Sequence, residues 1–215
     1  HMSNIAIVGS AAAGLYLRAE RHFFIDSVAI KSCGKGFEIV DCGDSSSRQL
    51  IAETCGSDGL IIDNCLSMAF SVIDTYNHPG NGVLMTNNNI SVVFAQCEFT
   101  SCGGRGISIE GTTSDVAITN CVMKYNASDG MYTGPSCDTI SISNAVICKN
   151  GGLGADLNGV SIKLSNGCAC DNGGVGVLIN SDESSCINVS VKNNTDGIRI
   201  TANNCIVSQN ICNGN

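Results

Sequence analysis

Two carboxylic acids, Asp74 and Glu98, stand 24 residues apart in segments of alternating apolar and polar residues, and Glu53 lies upstream of them. If the chain returns to the same face at this interval, the two carboxyl groups lie side by side. Neighbouring carboxylates raise each other's proton affinity, and such a pair can act as a general acid with a nucleophile or base. The spacing therefore predicts acid–base chemistry, with Asp74, Glu98 and Glu53 as candidate catalytic residues.

The neighbouring positions supply polar side chains that we expect to bind a substrate. Tyr76, Thr100 and Lys124 follow the acids at the same interval. Two other hypotheses fit the same residues: a solvated acidic patch relaxed by Lys124, and a calcium site built from the carboxylates.

The elements that position these residues are set by a repeat. A glycine followed by alternating apolar residues recurs every 21 to 24 residues, at Gly14, Gly36, Gly59, Gly82, Gly106, Gly130, Gly154, Gly176 and Gly197. The period is too short for an antiparallel propeller blade and lacks a leucine-rich consensus, so each repeat is predicted to form one coil of a parallel solenoid. With strands about 4.8 Å apart, nine coils make a rod roughly 43 Å long.

A polar column lies four residues before each of these glycines. We expect it to comprise Ser10, Ser32, Cys55, His78, Cys102, Asn126, Asn150, Asn172, Asn193 and Asn210. Asparagine tolerates a left-handed backbone, and its amide can bond the same amide one coil away. The column therefore predicts an asparagine ladder.

Counting back from each glycine also predicts which side chains point outward. Positions eight and six residues earlier are expected outside, which exposes Val28, Ile30, Ile51, Val122, Val146 and Val189. So many β-branched residues on one face indicate a covered surface, and we expect a lateral homotrimer. A covering loop, a further domain or a one-residue error in the count are the alternatives.

The composition of the chain argues against two classes of partner, nucleic acids and membranes. The net charge of −8 leaves no basic stripe for nucleic acid, and no polybasic segment or run of eighteen apolar residues predicts contact with a membrane.

The 14 cysteines lie mostly within apolar strand patterns, which favours reduced thiols in the core. Cys168 and Cys170 share one side of a strand beside Cys148, but no Cys-x-x-Cys pair occurs. We therefore predict no metal site and no cofactor.

Stacked coils, an asparagine column and glycine-led strands resemble the pectate-lyase-like right-handed β-helix superfamily, most closely the β-helix region of bacteriophage tailspikes. The predicted fold class is all-β, a single-stranded right-handed parallel β-helix (β-solenoid) of about nine coils. The resemblance implies lyases, hydrolases, esterases, epimerases or non-catalytic rods.

The segment Asn194-Thr195-Asp196-Gly197 is similar to the polygalacturonase signature, but the second carboxylate pair of that family is missing. Asp196 is therefore expected to be a turn residue.

Two functional hypotheses follow. The first is a carbohydrate-binding and carbohydrate-cleaving β-helix of a phage tailspike or related surface protein, with polysaccharide as its partner. The alternative is a non-catalytic structural rod, such as a fibre shaft or adhesin stalk. Residues 1–2 are interpreted as a cloning remnant and 3–215 as a β-helix domain of a longer protein. We expect it to fold in a reducing cytoplasm and to act on a virion tail or cell surface.

Overall fold

The chain winds into stacked coils that consist of β-strands and turns. The computed structural model describes residues 1–215. Strands of successive coils pair in parallel and form three ladders along the rod, whose outer surfaces we call faces A, B and C. No segment forms a helix with the length and apolar character needed to cross a bilayer.

Each ladder is built from strands one coil apart. Face A contains β2 Ala13–Arg18, β4 Lys35–Val40, β6 Leu60–Asp63, β8 Val83–Thr86, β11 Ile107–Ile109, β14 Met131–Thr133, β17 Ala155–Val160, β20 Val175–Asp182 and β23 Asp196–Ile200. Face B contains β9 Ile90–Ala95, β12 Ser114–Thr119, β15 Asp138–Ser143, β18 Lys163–Ser165, β21 Ser185–Ile187 and β24 Ile206–Ser208. Face C contains β10 Glu98–Thr100, β13 Val122–Lys124, β16 Val146–Cys148, β19 Cys168–Cys170, β22 Ser190–Lys192 and β25 Ile211–Asn213. Four long strands bend across faces B and C: β1 Met2–Val8, β3 Phe24–Lys31, β5 Gly43–Glu53 and β7 Leu66–Tyr76.

The glycine repeat sets the register of face A, as predicted. Phe37 pairs with Leu60, Leu60 with Val83, and Val83 with Ile107, each one residue after a repeat glycine. These glycines do not have a positive φ. They are required because the coils approach closely: a Cβ on Gly36 would lie 2.0 Å from the carbonyl oxygen of Gly59.

The asparagine ladder is present and buried. The backbone and side-chain amides of Asn126 both donate to Oδ1 of Asn150, at 3.1 and 3.0 Å. Asn150 donates in the same way to Asn172, Asn172 to Asn194, and Asn194 to Asn215. Each Nδ2 also donates to a backbone carbonyl, as Asn126 does to Phe99 at 3.1 Å. The ladder therefore satisfies its own buried polar groups.

Three members of the predicted column were wrong by register. Cys33, Asn194 and Asn215 occupy the positions assigned to Ser32, Asn193 and Asn210. Asn193 instead has φ 53° and makes the turn just before the ladder residue. The left-handed backbone and the ladder amide thus belong to consecutive residues.

The predicted outward count was also wrong at both ends of the rod. Val28, Ile30 and Val189 are almost fully buried. In the early coil, Ile30 pairs with the buried Ala52, so the residues that face outward are Ala29 and Lys31. The segment that connects the face C strand to the next repeat glycine is one residue shorter in these coils. When positions are counted back from that glycine, a one-residue difference reverses the predicted direction of every side chain in the strand.

The core is a continuous apolar column lined with thiols. Phe70 and Phe94 stack on adjacent coils with ring centroids 5.2 Å apart. All fourteen cysteines are free. Most buried thiols donate to the carbonyl two residues earlier, as Cys97 does to Ala95 and Cys121 to Thr119, both at 3.3 Å. These cysteines act as small core residues that also satisfy a turn carbonyl.

Candidate functional site

Face C brings the predicted carboxylates together. Strands β7 and β10 run side by side, with Asp74 opposite Glu98 and Tyr76 opposite Thr100. Phe99, between Glu98 and Thr100, is fully buried. Because side chains alternate along a strand, Asp74, Tyr76, Glu98 and Thr100 all point outward from the same face.

The two acids differ in their surroundings. Asp74 is half-buried, whereas Glu98 is exposed. Burial raises the pKa of Asp74 above its ordinary value, and the negative charge of Glu98 raises that pKa further. A carboxyl group whose pKa is raised, beside a second and exposed carboxyl group, is the arrangement that a general acid paired with a base or nucleophile requires.

Glu53 lies on the same face, one row from Asp74. It pairs with Tyr76, not with Asp74, and its carboxylate forms a 3.0 Å salt bridge with Lys31. The hydrogen bond from Lys31 lowers the pKa of Glu53. Burial and then the charge of Glu53 raise the pKa of Tyr76, so its phenol stays protonated and can donate. Glu53 is therefore suited to charge balance and not to proton donation.

The remaining predicted residues flank the acids. Lys124 pairs with Thr100, and Val122, not Lys124, continues the row of Asp74 and Glu98. Lys124 thus lies diagonally from Glu98. A depression of 290 Å³ lies on this face beside Asp74. One of its lining residues, Ile51, is the register partner of Asp74. It is lined by Ser27, Val28, Ala29, Gln49 and Ile51.

The structure also contains a polar cluster on face A that the sequence analysis missed. The Nε atom of Arg105 lies 3.0 Å from Oδ2 of Asp129, and its guanidinium carbon lies 3.9 Å from the centroid of the Tyr132 ring. Tyr132 is the register partner of Asp156, whose pKa is raised chiefly by burial. The available signal was the 24-residue interval between Arg105 and Asp129 and between Tyr132 and Asp156.

The charges of this second cluster are largely balanced within it. Besides Asp129, Arg105 faces Glu110 at 3.7 Å. Oδ1 of Asp156 accepts hydrogen bonds from Asn158 and Asn180, at 2.9 and 3.3 Å. The cluster ties several coils together.

Two further predicted features have clear positions. Asp196 was expected in a turn but is the first residue of strand β23, where its carboxylate pairs with Arg199, three residues later. Cys148, Cys168 and Cys170 lie together on face C, with their sulfur atoms within 4.8 Å of one another. The hydrogen bond between Cys148 and Cys168 lowers the pKa of the Cys168 thiol to about 6.

Known structures share this architecture. The A-module of mannuronan C-5 epimerase AlgE6 from Azotobacter vinelandii is 15% identical with a TM-score of 0.72, over 95% of this chain and 75% of that one. The periplasmic alginate epimerase AlgG is 13% identical with a TM-score of 0.79, over 89% of this chain and 50% of that one. ORF18 of Geobacillus virus E2 is 13% identical with a TM-score of 0.70, over 98% and 50%. The chain thus spans half the length of the last two.

At these identities the similarity concerns the fold. A search of curated protein sequences finds no match. The sequence itself matches the family model described as "Right handed beta helix region" over residues 1–154, which is most of the chain. Together with the parallel coils and the asparagine ladder, this match shows that the chain belongs to the right-handed β-helix family.

Proposed function

We propose that this protein binds a polysaccharide along face C and hydrolyses its glycosidic bonds at Asp74 and Glu98. The observation that carries the proposal is the pairing of these two acids on adjacent strands, one half-buried with a raised pKa and the other exposed. Two of the similar structures are alginate epimerases, which supports a polysaccharide as the class of ligand.

The spacing of the strands suggests the stereochemistry. Neighbouring strands lie about 4.8 Å apart, and two carboxyl groups about 5 to 5.5 Å apart are typical of glycosidases that retain the anomeric configuration. In this mechanism Asp74 protonates the leaving oxygen while the Glu98 carboxylate attacks the anomeric carbon. The deprotonated Asp74 then takes a proton from water, which releases the sugar from Glu98.

The surrounding residues would hold the sugar. Tyr76 and Thr100 lie one row from the acids and present hydroxyl groups, and Lys124 supplies an ammonium group at the next coil. Glu53 is paired with Lys31, and burial followed by the charge of Glu53 raises the pKa of Tyr76, whose phenol can donate to the sugar.

The test is a reducing-end assay on neutral capsular polysaccharides, alginate and polygalacturonate. We expect Asp74→Asn and Glu98→Gln each to lower the hydrolysis rate about 10²–10⁴-fold, the usual contribution of such groups. The matched control is Asp138→Asn, which neutralises an exposed acid on face B. Proton NMR of the first product should show a retained anomer.

Two outcomes would overturn this assignment. Loss of activity in Asp156→Asn, with activity kept in Asp74→Asn and Glu98→Gln, would move the site to face A. No hydrolysis and no glycan binding by the wild type would support the structural rod instead. The rod is favoured by the coil lengths of 21 to 24 residues, which leave no long loop to wall the acids.

The biological setting is also a proposal. We propose a tailspike or surface protein that acts on a virion tail or cell surface. A lateral homotrimer through face C stays a prediction, with a weaker basis because Val28, Ile30 and Val189 are buried. Ile51, which is 38% exposed, is one of the apolar side chains at this surface and is the register partner of Asp74. Light scattering of the purified chain measures its mass directly.

A further inference from the structure

Three of the fourteen cysteines differ from the rest in direction and in partners. Most of the buried thiols bond a backbone carbonyl two residues earlier. Cys148 and Cys168 instead contact each other, with their sulfur atoms 3.7 Å apart, and Cys170 completes the group within 4.8 Å. The core role that explains the other thiols therefore does not explain these three.

The fold fixes this arrangement. Cys168 and Cys170 lie on either side of the buried Ala169 in β19, so both point outward on face C. Cys148, in β16, is the register partner of Cys170 on the adjacent coil. Backbone pairing on both coils therefore holds the three thiols at one place without a flexible loop.

The three thiols have the ligand chemistry of a metal site. Thiolate is a preferred ligand of Zn²⁺, and Zn–S bonds of about 2.3 Å place the sulfur atoms of a tetrahedral site about 3.8 Å apart. The Cys148–Cys168 separation already fits, and small side-chain rotations would bring the third sulfur to the same distance. Cys168 and Cys170 are half-buried, which leaves the group accessible from solvent.

The charges on the neighbouring coils complement such a site. Lys124 is the register partner of Cys148, and Lys192 is the register partner of Cys170. Zn²⁺ with three thiolates carries one net negative charge, and the two ammonium groups lie on either side of it along the rod. A water molecule would fill the fourth position.

We propose that Cys148, Cys168 and Cys170 form a surface site for one thiophilic divalent cation, Zn²⁺ in the first instance. This inference is independent of the proposed glycan hydrolysis, because the thiols occupy different coils from Asp74 and Glu98. It also reverses the expectation from the sequence, where the absence of a Cys-x-x-Cys pair argued against a metal.

The test uses the full chain, reduced and freed of metal under anaerobic conditions. Co²⁺ is the probe, because thiolate ligands give it intense charge-transfer absorption and a tetrahedral ligand-field spectrum. We expect one equivalent of Co²⁺ to bind, to be displaced by one equivalent of Zn²⁺, and to release protons as thiols ionise. Elemental analysis of the dialysed Zn²⁺ form gives the stoichiometry.

Variants identify the ligands. Cys148→Ser, Cys168→Ser and Cys170→Ser should each weaken Co²⁺ binding by about 100-fold or more and remove part of the charge-transfer band. Cys212→Ser is the matched control, since it removes an exposed thiol outside the group and should leave binding unchanged. Circular dichroism shows that each variant keeps its β-structure.

Several results would overturn the proposal. One is Co²⁺ binding that persists in a variant lacking all three thiols, and another is the absence of binding by reduced wild type. A Cys148–Cys168 disulfide that persists in the purified chain after reduction, detected by mass, would assign the group to redox chemistry instead.

Discussion

The Nδ1 atom of His78 accepts a hydrogen bond from the backbone amide of Cys55 at 3.0 Å, so the imidazole acts as a ladder residue. Its Nε2 lies 3.0 Å from the carbonyl oxygen of Ala52 and donates to it, which fixes the neutral tautomer. Asn126 makes the equivalent two bonds, to the amide of Cys102 and the carbonyl of Phe99. His78 thus takes the place of a carboxamide two coils before Asn126.

This substitution makes stability depend on pH. Burial lowers the pKa of His78 below its ordinary value of 6.5, so the unfolded chain binds the proton more readily than the folded one. The contribution of His78 is complete above pH 6.5 and is lost as the pH falls from 6.5 towards the folded-state pKa. We expect His78→Asn to have a smaller decrease in Tm than the wild type between about pH 7 and about pH 5. Parallel curves for the two proteins would contradict this account.

A second prediction concerns a buried hydroxyl group. Thr75 is fully buried and its Oγ1 has no hydrogen-bond partner. Thr75→Val keeps the side-chain shape and removes the unpaired group, so we expect the free energy of unfolding to rise by about 1–2 kcal/mol. The control is Thr113→Val, because the Thr113 hydroxyl donates to the Glu110 carbonyl at 2.7 Å. Urea denaturation should show that this variant is less stable than the wild type.

A third prediction concerns the repeat glycines. A Cβ on Gly130 would lie 2.3 Å from Cγ2 of Ile147 and 2.6 Å from Nδ2 of Asn150. Gly130→Ala should therefore lower the free energy of unfolding by about 1–3 kcal/mol, as overpacking does. Gly134→Ala is the control, since its Cβ would meet no atom nearer than 3.4 Å. Equal unfolding midpoints for the two variants would show that the coils relax more easily than the contacts indicate.

The sequence alone predicted most of the fold because the determining signal is periodic. Every repeat glycine immediately precedes a residue of one core row, and the pairing of Asp74 with Glu98 followed from the same count. A parallel solenoid permits this because its register is the period itself. No long-range topology had to be inferred.

The errors at Val28, Ile30, Val189, Ser32 and Asn193 share one cause. Counting back from a glycine assumes that every arc has the same length, and the arcs near Ile30 and Asn193 do not. The count was therefore off by one residue in these coils. It placed the buried Val28 and Val189 on the outside and assigned the ladder position to Asn193 instead of Asn194. The cluster around Arg105 was missed for another reason: the 24-residue intervals place its residues on neighbouring coils, but the directions in which the side chains converge depend on packing.

The asparagine ladder has one more consequence, which concerns direction. From Asn126 to Asn194 each carboxamide donates one hydrogen bond to the next asparagine towards the C-terminal end, and its Oδ1 accepts from the N-terminal side. The amide dipoles therefore add along the axis, and each polarises the next. The carboxamides form a column of aligned dipoles surrounded by the apolar core. The two ends of the rod therefore differ in electrostatic potential, even where their coils have the same structure.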